Sequence, residues 1–200
     1  MTAATIKLSV WNRALAHVGH QPLAATTDAV PAVALLTLFY TPCRQDLLGM
    51  TAWPFARKTA IPEGITPQDD GWAATYPYPS DALWITNIYP EDYGQATLSA
   101  PTEIPWERTE NGISCDYTES VVIRYVKDED DETLWPAEFA DLMSWCLAAR
   151  IAHSVTANLN VVSMVENQYR SRLQLYLNRS SREDKRRREF GTALIDARNG

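Results

Sequence analysis

Two hundred residues with 46% hydrophobic side chains, seven Trp and nine Tyr can bury a real core, which excludes a disordered chain. No apolar run reaches the roughly 18 residues that a membrane span needs; the best, residues 29–40, is interrupted by Pro31 and soon followed by Pro42. The formal charge of −7 is divided unevenly: residues 1–166 hold 21 acids and 9 bases, net −12, while residues 167–200 hold 4 acids and 9 bases, net +5. Opposed ends of this kind point to a C-terminal segment that meets an acidic surface, either nucleic acid or an acidic protein.

The opening MTAATIKLSVWNRALAHVG lacks a basic leader and an unbroken apolar stretch, so it is not expected to be a signal peptide. It reads as a helix over Thr5–Val18 instead, with Ile6, Val10, Leu15 and Val18 near a period of 3.6 and Gly19 at its end. A turn-rich link leads to a second helix that starts near Pro31. Leu36, Phe39, Tyr40, Cys43, Leu47 and Met50 keep one face of it through Pro42, which predicts one kinked helix, with a break at Thr41 as the alternative. The helix runs into Trp53, Pro54 and Phe55, a proline stop between two aromatics that packs the passage from helix to strand. Burying each aromatic there is worth on the order of 2–3 kcal/mol. Arg57 and Lys58 then emerge at the surface.

From Thr59 to Lys127 the helical period is lost. The runs ALWITNIYP (82–90) and SVVIRYVKD (120–128) read as strands, and Asn111-Gly112 between two alternating runs signals a hairpin. Trp135-Pro136 opens a third helix that continues to about Asn158, with the acidic run 128–132 read as a solvated cluster before it. A fourth, amphipathic helix spans about Ser163 to Leu177. The expected fold is α+β: an antiparallel helical bundle of about four helices (residues 1–58 and 128–178), an inserted antiparallel β-hairpin subdomain (59–127) and a C-terminal docking arm (179–200).

Several chemistries are unsupported by motif. GxxxxGK[ST], GxGxxG and GxSxG do not occur, and His17 and His20 stand three apart without an HExxH or HxH pattern. The acidic run lacks the spacing of a calcium loop. Three scattered cysteines, Cys43, Cys115 and Cys146, form no CxxC pair and read as free, mostly buried thiols of a reducing compartment. Acids and aromatics mingle at Asp69, Asp70, Trp72, Asp81, Trp84, Glu91, Asp92, Trp106 and Glu107, a composition that suits sugar binding or, at the right separation, glycan cleavage. It equally suits hairpin packing beside a solvated acidic face. Lys185-Arg186-Arg187-Arg188 could hold phosphates, but Glu183, Asp184 and Glu189 interleave with it and the apolar Phe190, Ala193, Leu194 and Ile195 follow. A peptide arm that docks on a protein uses such a patch, and a nucleic-acid arm does not need it; a simple disordered tail is the alternative.

Four stretches, LSVWNRALAHVGHQPLAA, LFYTPCRQDLLGMTAWPFARKTA, YPYPSDALWITNIYP and LWPAEFADLMSWCLAARIAHSVTANLN, together resemble the tail tubular protein A family of short-tailed phages, the head-to-tail adaptors or gatekeepers. The resemblance runs from about Leu8 to Lys185. It implies a structural virion protein without catalytic residues, cofactor or metal, assembled in the host cytoplasm. Such adaptors form a twelvefold ring between the portal and the tail nozzle, with tail fibres attaching near that joint, and DNA passes through the channel during genome ejection without sequence-specific binding. The portal-docking arm would fall on Arg179, Arg182, Lys185, Arg186, Arg187, Arg188, Phe190 and Leu194. Trp72, Tyr78, Trp84, Tyr89 and Trp106 would face the nozzle or neighbouring copies. Pro42 inside the second helix departs from the expected pattern and bears on local helix shape. The alternatives are a head-completion or connector protein of a long-tailed phage, a carbohydrate-binding or glycan-cleaving tail component, and a nucleic-acid-binding protein.

Overall fold

A computed structural model describes residues 2–63, 71–91 and 103–199, with side chains through Arg179. The chain divides into two compact units, one made of Met1–Thr51 with Glu129–Gly200 and the other of Ala52–Asp128. The fold is α+β, with four long helices in the first unit and two three-stranded antiparallel sheets in the second.

Helix α1 (Ala3–His17) begins at Thr2, whose side chain accepts from the Thr5 N–H, and closes at Gly19 with φ +74°. The His20 N–H reaches the Leu15 carbonyl at 2.9 Å and the Gly19 N–H reaches that of Ala16 at 3.1 Å, the paired bonds of a Schellman end. Helix α2 (Pro31–Met50) has proline at its first position and is continuous through Pro42. Pro42 sits on the exposed side, where the carbonyl left without a helical donor can meet water. Helix α3 (Ala137–Val155) starts one residue after Pro136 and is the most buried element, with Phe139, Leu142, Met143, Leu147 and Ile151 all shut off from solvent. Asn158 caps helix α4 (Leu159–Asn199) by accepting from the Asn160 N–H at 3.0 Å.

Helix directions follow from the length of the links. The three residues between α3 and α4 force an antiparallel pair, as Arg172–Asp141 and Arg179–Glu138 show. The long links before α2 and α3 let the chain double back, so α1 and α2 run in the direction of α3. Tyr40 meets Glu132 and Trp135 near its start, and Asp46 meets Arg150 near its end. Along α1, Trp11 meets Tyr40 and His17 meets Ser144. The link between α1 and α2 is held by Asn12, whose side chain both accepts from the Leu23 N–H at 2.7 Å and donates to its carbonyl at 3.0 Å.

In the second unit a 3-10 turn at Pro54–Ala56 leads into β1 (Arg57–Ala60). β1 and β3 (Ala82–Pro90) flank β6 (Val121–Lys127), with a bulge in β3 near Trp84 and another near Asn87. The other sheet places β5 (Gly112–Cys115) between β2 (Ala74–Tyr76) and β4 (Trp106–Thr109). The expected hairpin joins β4 to β5, but its two-residue turn is Glu110-Asn111, and Gly112 already pairs with Thr109. Both sheets contribute to one core of Tyr76, Ile85, Ile88, Ile113, Val121, Ile123 and Tyr125. The Tyr76 hydroxyl, 2.7 Å from the Tyr117 carbonyl oxygen and 2.6 Å from that of Glu119, ties the segment before β6 to that core.

The acidic run is not simply solvated. Glu129 and Glu132 are buried, because the Tyr40 hydroxyl donates to Glu132 at 2.9 Å and the backbone around Glu129 carries the Trp135 indole N–H at 3.1 Å. Asp131 meanwhile accepts from the Thr133 N–H and caps a 3-10 turn.

Candidate functional site: the α3–α4 seam and the C-terminal helix

The sequence places charged, hydroxylic and aromatic residues at three- and four-residue steps along α4, and α3 answers them. Arg172 donates to Asp141 at 2.6 Å and lays its guanidinium 4.9 Å from the Trp145 ring centroid. The same indole carries His17, stacked at 3.6 Å with planes 13° apart and 3.3 Å from the Ser144 hydroxyl. Three helices therefore meet at one indole, which an imidazole and a guanidinium both contact. Burial pushes the His17 pKa below its ordinary value; Asp141 opposes that shift, and Arg172 and Arg13 reinforce it. The imidazole is neutral in the folded protein at neutral pH.

One turn away, α2, α3 and α4 meet at Cys43, Cys146 and Tyr169. Cys43 is pushed up because it donates its proton to Cys146 and is buried, whereas Cys146 is lowered as the acceptor of Cys43 and Tyr169. All three cysteines are free and buried, as their scattered positions suggest.

Arg179 pairs with Glu138 in the first turn of α3, so this residue marks the level at which α3 ends as a support for α4. The helix then continues for twenty residues, about 30 Å at 1.5 Å per residue. This differs from the expected end near Leu177: the segment read as a separate arm continues α4 without a break. Arg182, Lys185, Arg186, Arg187, Arg188, Phe190 and Leu194 lie on that continuation, outside the described side chains. The helical part thus ends in a long rod whose sequence carries the positive end of the charge asymmetry.

The aromatics of the inserted unit do not form one patch. Trp106 packs against the shared core, while Trp72 donates its indole N–H to Glu107 at 3.3 Å, and neighbouring residues of β4 leave opposite faces of the sheet. Tyr78 stacks under the Arg108 guanidinium at 4.4 Å, and Tyr89, buried on β3, stacks under Arg124 at 4.9 Å. Trp84 is half-buried beside Val126. Trp53 is buried and Phe55 half-buried, their ring centroids 6.2 Å apart, with Pro54 exposed in the 3-10 turn. Arg57 is less free than expected, since its Nε donates to the Ala52 carbonyl at 2.6 Å.

The acids follow the same pattern. Asp81 pairs with Lys58 at 3.6 Å and draws the Tyr125 hydroxyl, whose pKa burial and that contact raise to about 12. Asp69, Asp70 and Asp92 lie outside the described residues. Among the described residues, no group of three His, Cys, Asp or Glu side chains gathers as metal ligands, and His20 bonds to the Gln21 carbonyl while His17 stacks on Trp145. The described arrangement offers a packed α3–α4 seam, a helix that continues past it and cation–aromatic contacts. The cluster of His17, Trp145 and Arg172 carries no sequence signature, because its members stand far apart in the chain.

No protein-family model matches this chain, and no curated protein is significantly similar to it.

Proposed function

We propose that the chain is a non-enzymatic structural subunit of a short-tailed phage, a head-to-tail adaptor that forms a twelvefold ring between portal and tail nozzle. The observation that carries this reading is α4: anchored to α3 up to Arg179, it runs on for twenty residues with a basic, then apolar sequence. A helix held at one end and presenting charges followed by apolar residues is suited to lie in a groove of a partner, the charges fixing its register. The portal is the partner of the helix end, and the inserted β unit serves the nozzle, fibre or neighbour contacts. The net −12 of residues 1–166 gives the ring a surface that repels DNA, so the genome slides through the channel without sequence-specific binding. The four stretches that resemble tail tubular protein A support the same assignment from the sequence side.

The test is to mix the purified chain with the portal of the same phage and measure the mass of the product. Uptake of twelve copies per portal ring supports the adaptor. A chain that leaves the portal unaltered overturns it and turns attention to the half-buried Trp72 beside Glu107 and to a glycan-binding assay.

A further inference from the structure

Two buried thiols meet across the seam between α2 and α3: Cys43 is 0% exposed and Cys146 2%. Asp46 and Arg150 pair at 2.8 Å between the same two helices. Cys43 lies three residues before Asp46, and Cys146 lies four before Arg150. In helices that run in one direction, both thiols therefore sit about one turn back from that ion pair, on the faces it marks. Helices in packing contact stand about 8–10 Å apart with Cα atoms about 2.3 Å from each axis, which leaves facing residues roughly 3.5–5.5 Å between Cα atoms. A disulfide bridges about 4.4–6.8 Å, so the two ranges overlap. The thiols are in hydrogen-bond contact, with Cys43 donating to Cys146, and the Tyr169 hydroxyl of α4 donates to Cys146 as well. The Arg150 guanidinium acts on both sulfurs. Cys146 thus has two donors and a nearby cation, surroundings that favour a thiolate, while Cys43 keeps its proton. Cys115, in the other unit, donates to the Tyr117 carbonyl at 3.7 Å, and no other thiol acts on it.

We propose that Cys43 and Cys146 form a redox-controlled cross-link, free thiols while the chain folds and a disulfide joining α2 to α3 after exposure to a peroxide. Cys146 acts first. Its thiolate sulfur attacks one oxygen of hydrogen peroxide, the O–O bond breaks, and the released hydroxide takes up the proton that Cys146 gave up and leaves as water. Cys146 is then a sulfenic acid. The Cys43 sulfur attacks the Cys146 sulfur, the S–O bond breaks, and the Cys43 proton goes to the departing oxygen as a second water. The two thiols lose two electrons in all, and the peroxide takes them. Tyr169 contacts Cys146 from α4, so the peroxide arrives when α4 lifts locally from α3. The bond closes a loop of roughly a hundred residues that contains the whole second unit, Ala52–Asp128. It ties together the two helices that flank that unit in the chain, and a cross-link over so long a loop removes much of the freedom of the unfolded chain. A chain made in a reducing cytoplasm and carried out in a particle meets the two conditions in order, reduced during assembly and oxidised afterwards. That timing rests on the adaptor reading, whereas the chemistry rests on the cysteines.

The experiment treats the full chain, purified under dithiothreitol and then freed of it, with hydrogen peroxide. The product is denatured, alkylated with iodoacetamide and mapped by peptide mass spectrometry without reduction. Cys43 should be joined to Cys146 with Cys115 alkylated, and dithiothreitol should restore alkylation at all three. The oxidised chain should melt about 10 °C above the reduced one. That difference should vanish in Cys43→Ala and in Cys146→Ala and persist in Cys115→Ala. Dimedone should trap a sulfenic acid on Cys146 in Cys43→Ala faster than on Cys43 in Cys146→Ala; equal trapping overturns Cys146 as the attacking thiol. The mapping uses the wild type alone, so a variant that fails to fold still leaves the cross-link decided. Alkylation of both Cys43 and Cys146 after peroxide, or either one carried to a sulfinic acid unbridged, overturns it. So does a bond that includes Cys115 or joins two chains, or a bond that leaves the melt unchanged. Portal uptake reads the adaptor assignment separately. A chain taken up by the portal that forms no bond removes the cross-link and leaves the adaptor standing. A chain that forms the bond and ignores the portal does the reverse.

Discussion

At Gly112 the backbone runs at φ +144°, and a Cβ there would lie 2.2 Å from the Tyr76 carbonyl oxygen. Only glycine fits without moving β2 away from β5. Gly112→Ala should therefore destabilise the protein by about 3 kcal/mol, read as a lower denaturation midpoint. Gly49, whose added Cβ meets nothing within 4 Å, provides the control: Gly49→Ala near the end of α2 should be neutral or slightly stabilising. His17 provides a pH-dependent counterpart. Its folded pKa lies below the ordinary value near 6.5 because it is buried, so the unfolded chain binds more protons as pH falls through that value. Its contribution to stability is fully present above about pH 6.5 and is lost as pH drops towards and past the folded pKa. Denaturant midpoints measured from about pH 7.5 to about 5 should fall less steeply in His17→Gln than in the wild type; equal slopes would remove the buried imidazole as the cause.

Among the elements, α1, α2, β3 and β6 were legible because their apolar residues keep a period of 3.6, or their branched and aromatic residues crowd between turn formers. β1 and β2 were not. Strands of four and three residues are too short to show a period, and they exist because β6 and β5 supply the hydrogen-bonding partners. The far half of α4 was hidden for a different reason. Residues 178–189 offer no apolar position from which to read a period, yet Arg, Lys and Glu are good helix formers, and Glu183 with Arg187 and Asp184 with Arg188 stand four apart. The buried Glu129 and Glu132 were hidden inside a run that looked uniformly solvated, since Tyr40, which donates to Glu132, lies on α2, and Trp135 folds back to the Glu129 backbone carbonyl. Two substitutions separate core from surface at this scale. Leu142→Ala, at a fully buried position of α3, should cost about 2–5 kcal/mol, as cavities in packed cores do. Pro42→Ala on the exposed side of α2 should stabilise by about 1–3 kcal/mol, since alanine restores the missing N–H and relieves the ring's steric conflict. A loss of stability in Pro42→Ala would show that the helix needs the proline's shape.

For the whole molecule, the sequence showed an acidic body and a basic end, and the fold shows how they are joined: the basic end is the continuation of a helix anchored to α3 by Arg172–Asp141 and Arg179–Glu138. Seven of the eight residues assigned to portal docking lie beyond that anchor, where composition and resemblance gave the role and no local packing could. The five interface aromatics were identifiable as a composition, but not as a surface, because alternation along the strands sends Trp106 into the core and leaves Trp72 on the opposite face with Glu107. The central claim is that this molecule joins a portal ring through its C-terminal helix. The most direct measurement is native mass spectrometry of the portal mixed with the full chain and, separately, with a chain ending before Arg179. The account predicts a complex of twelve added copies for the full chain and none for the shortened one, with both chains folded. Equal uptake of the two chains, or uptake of neither, would contradict it.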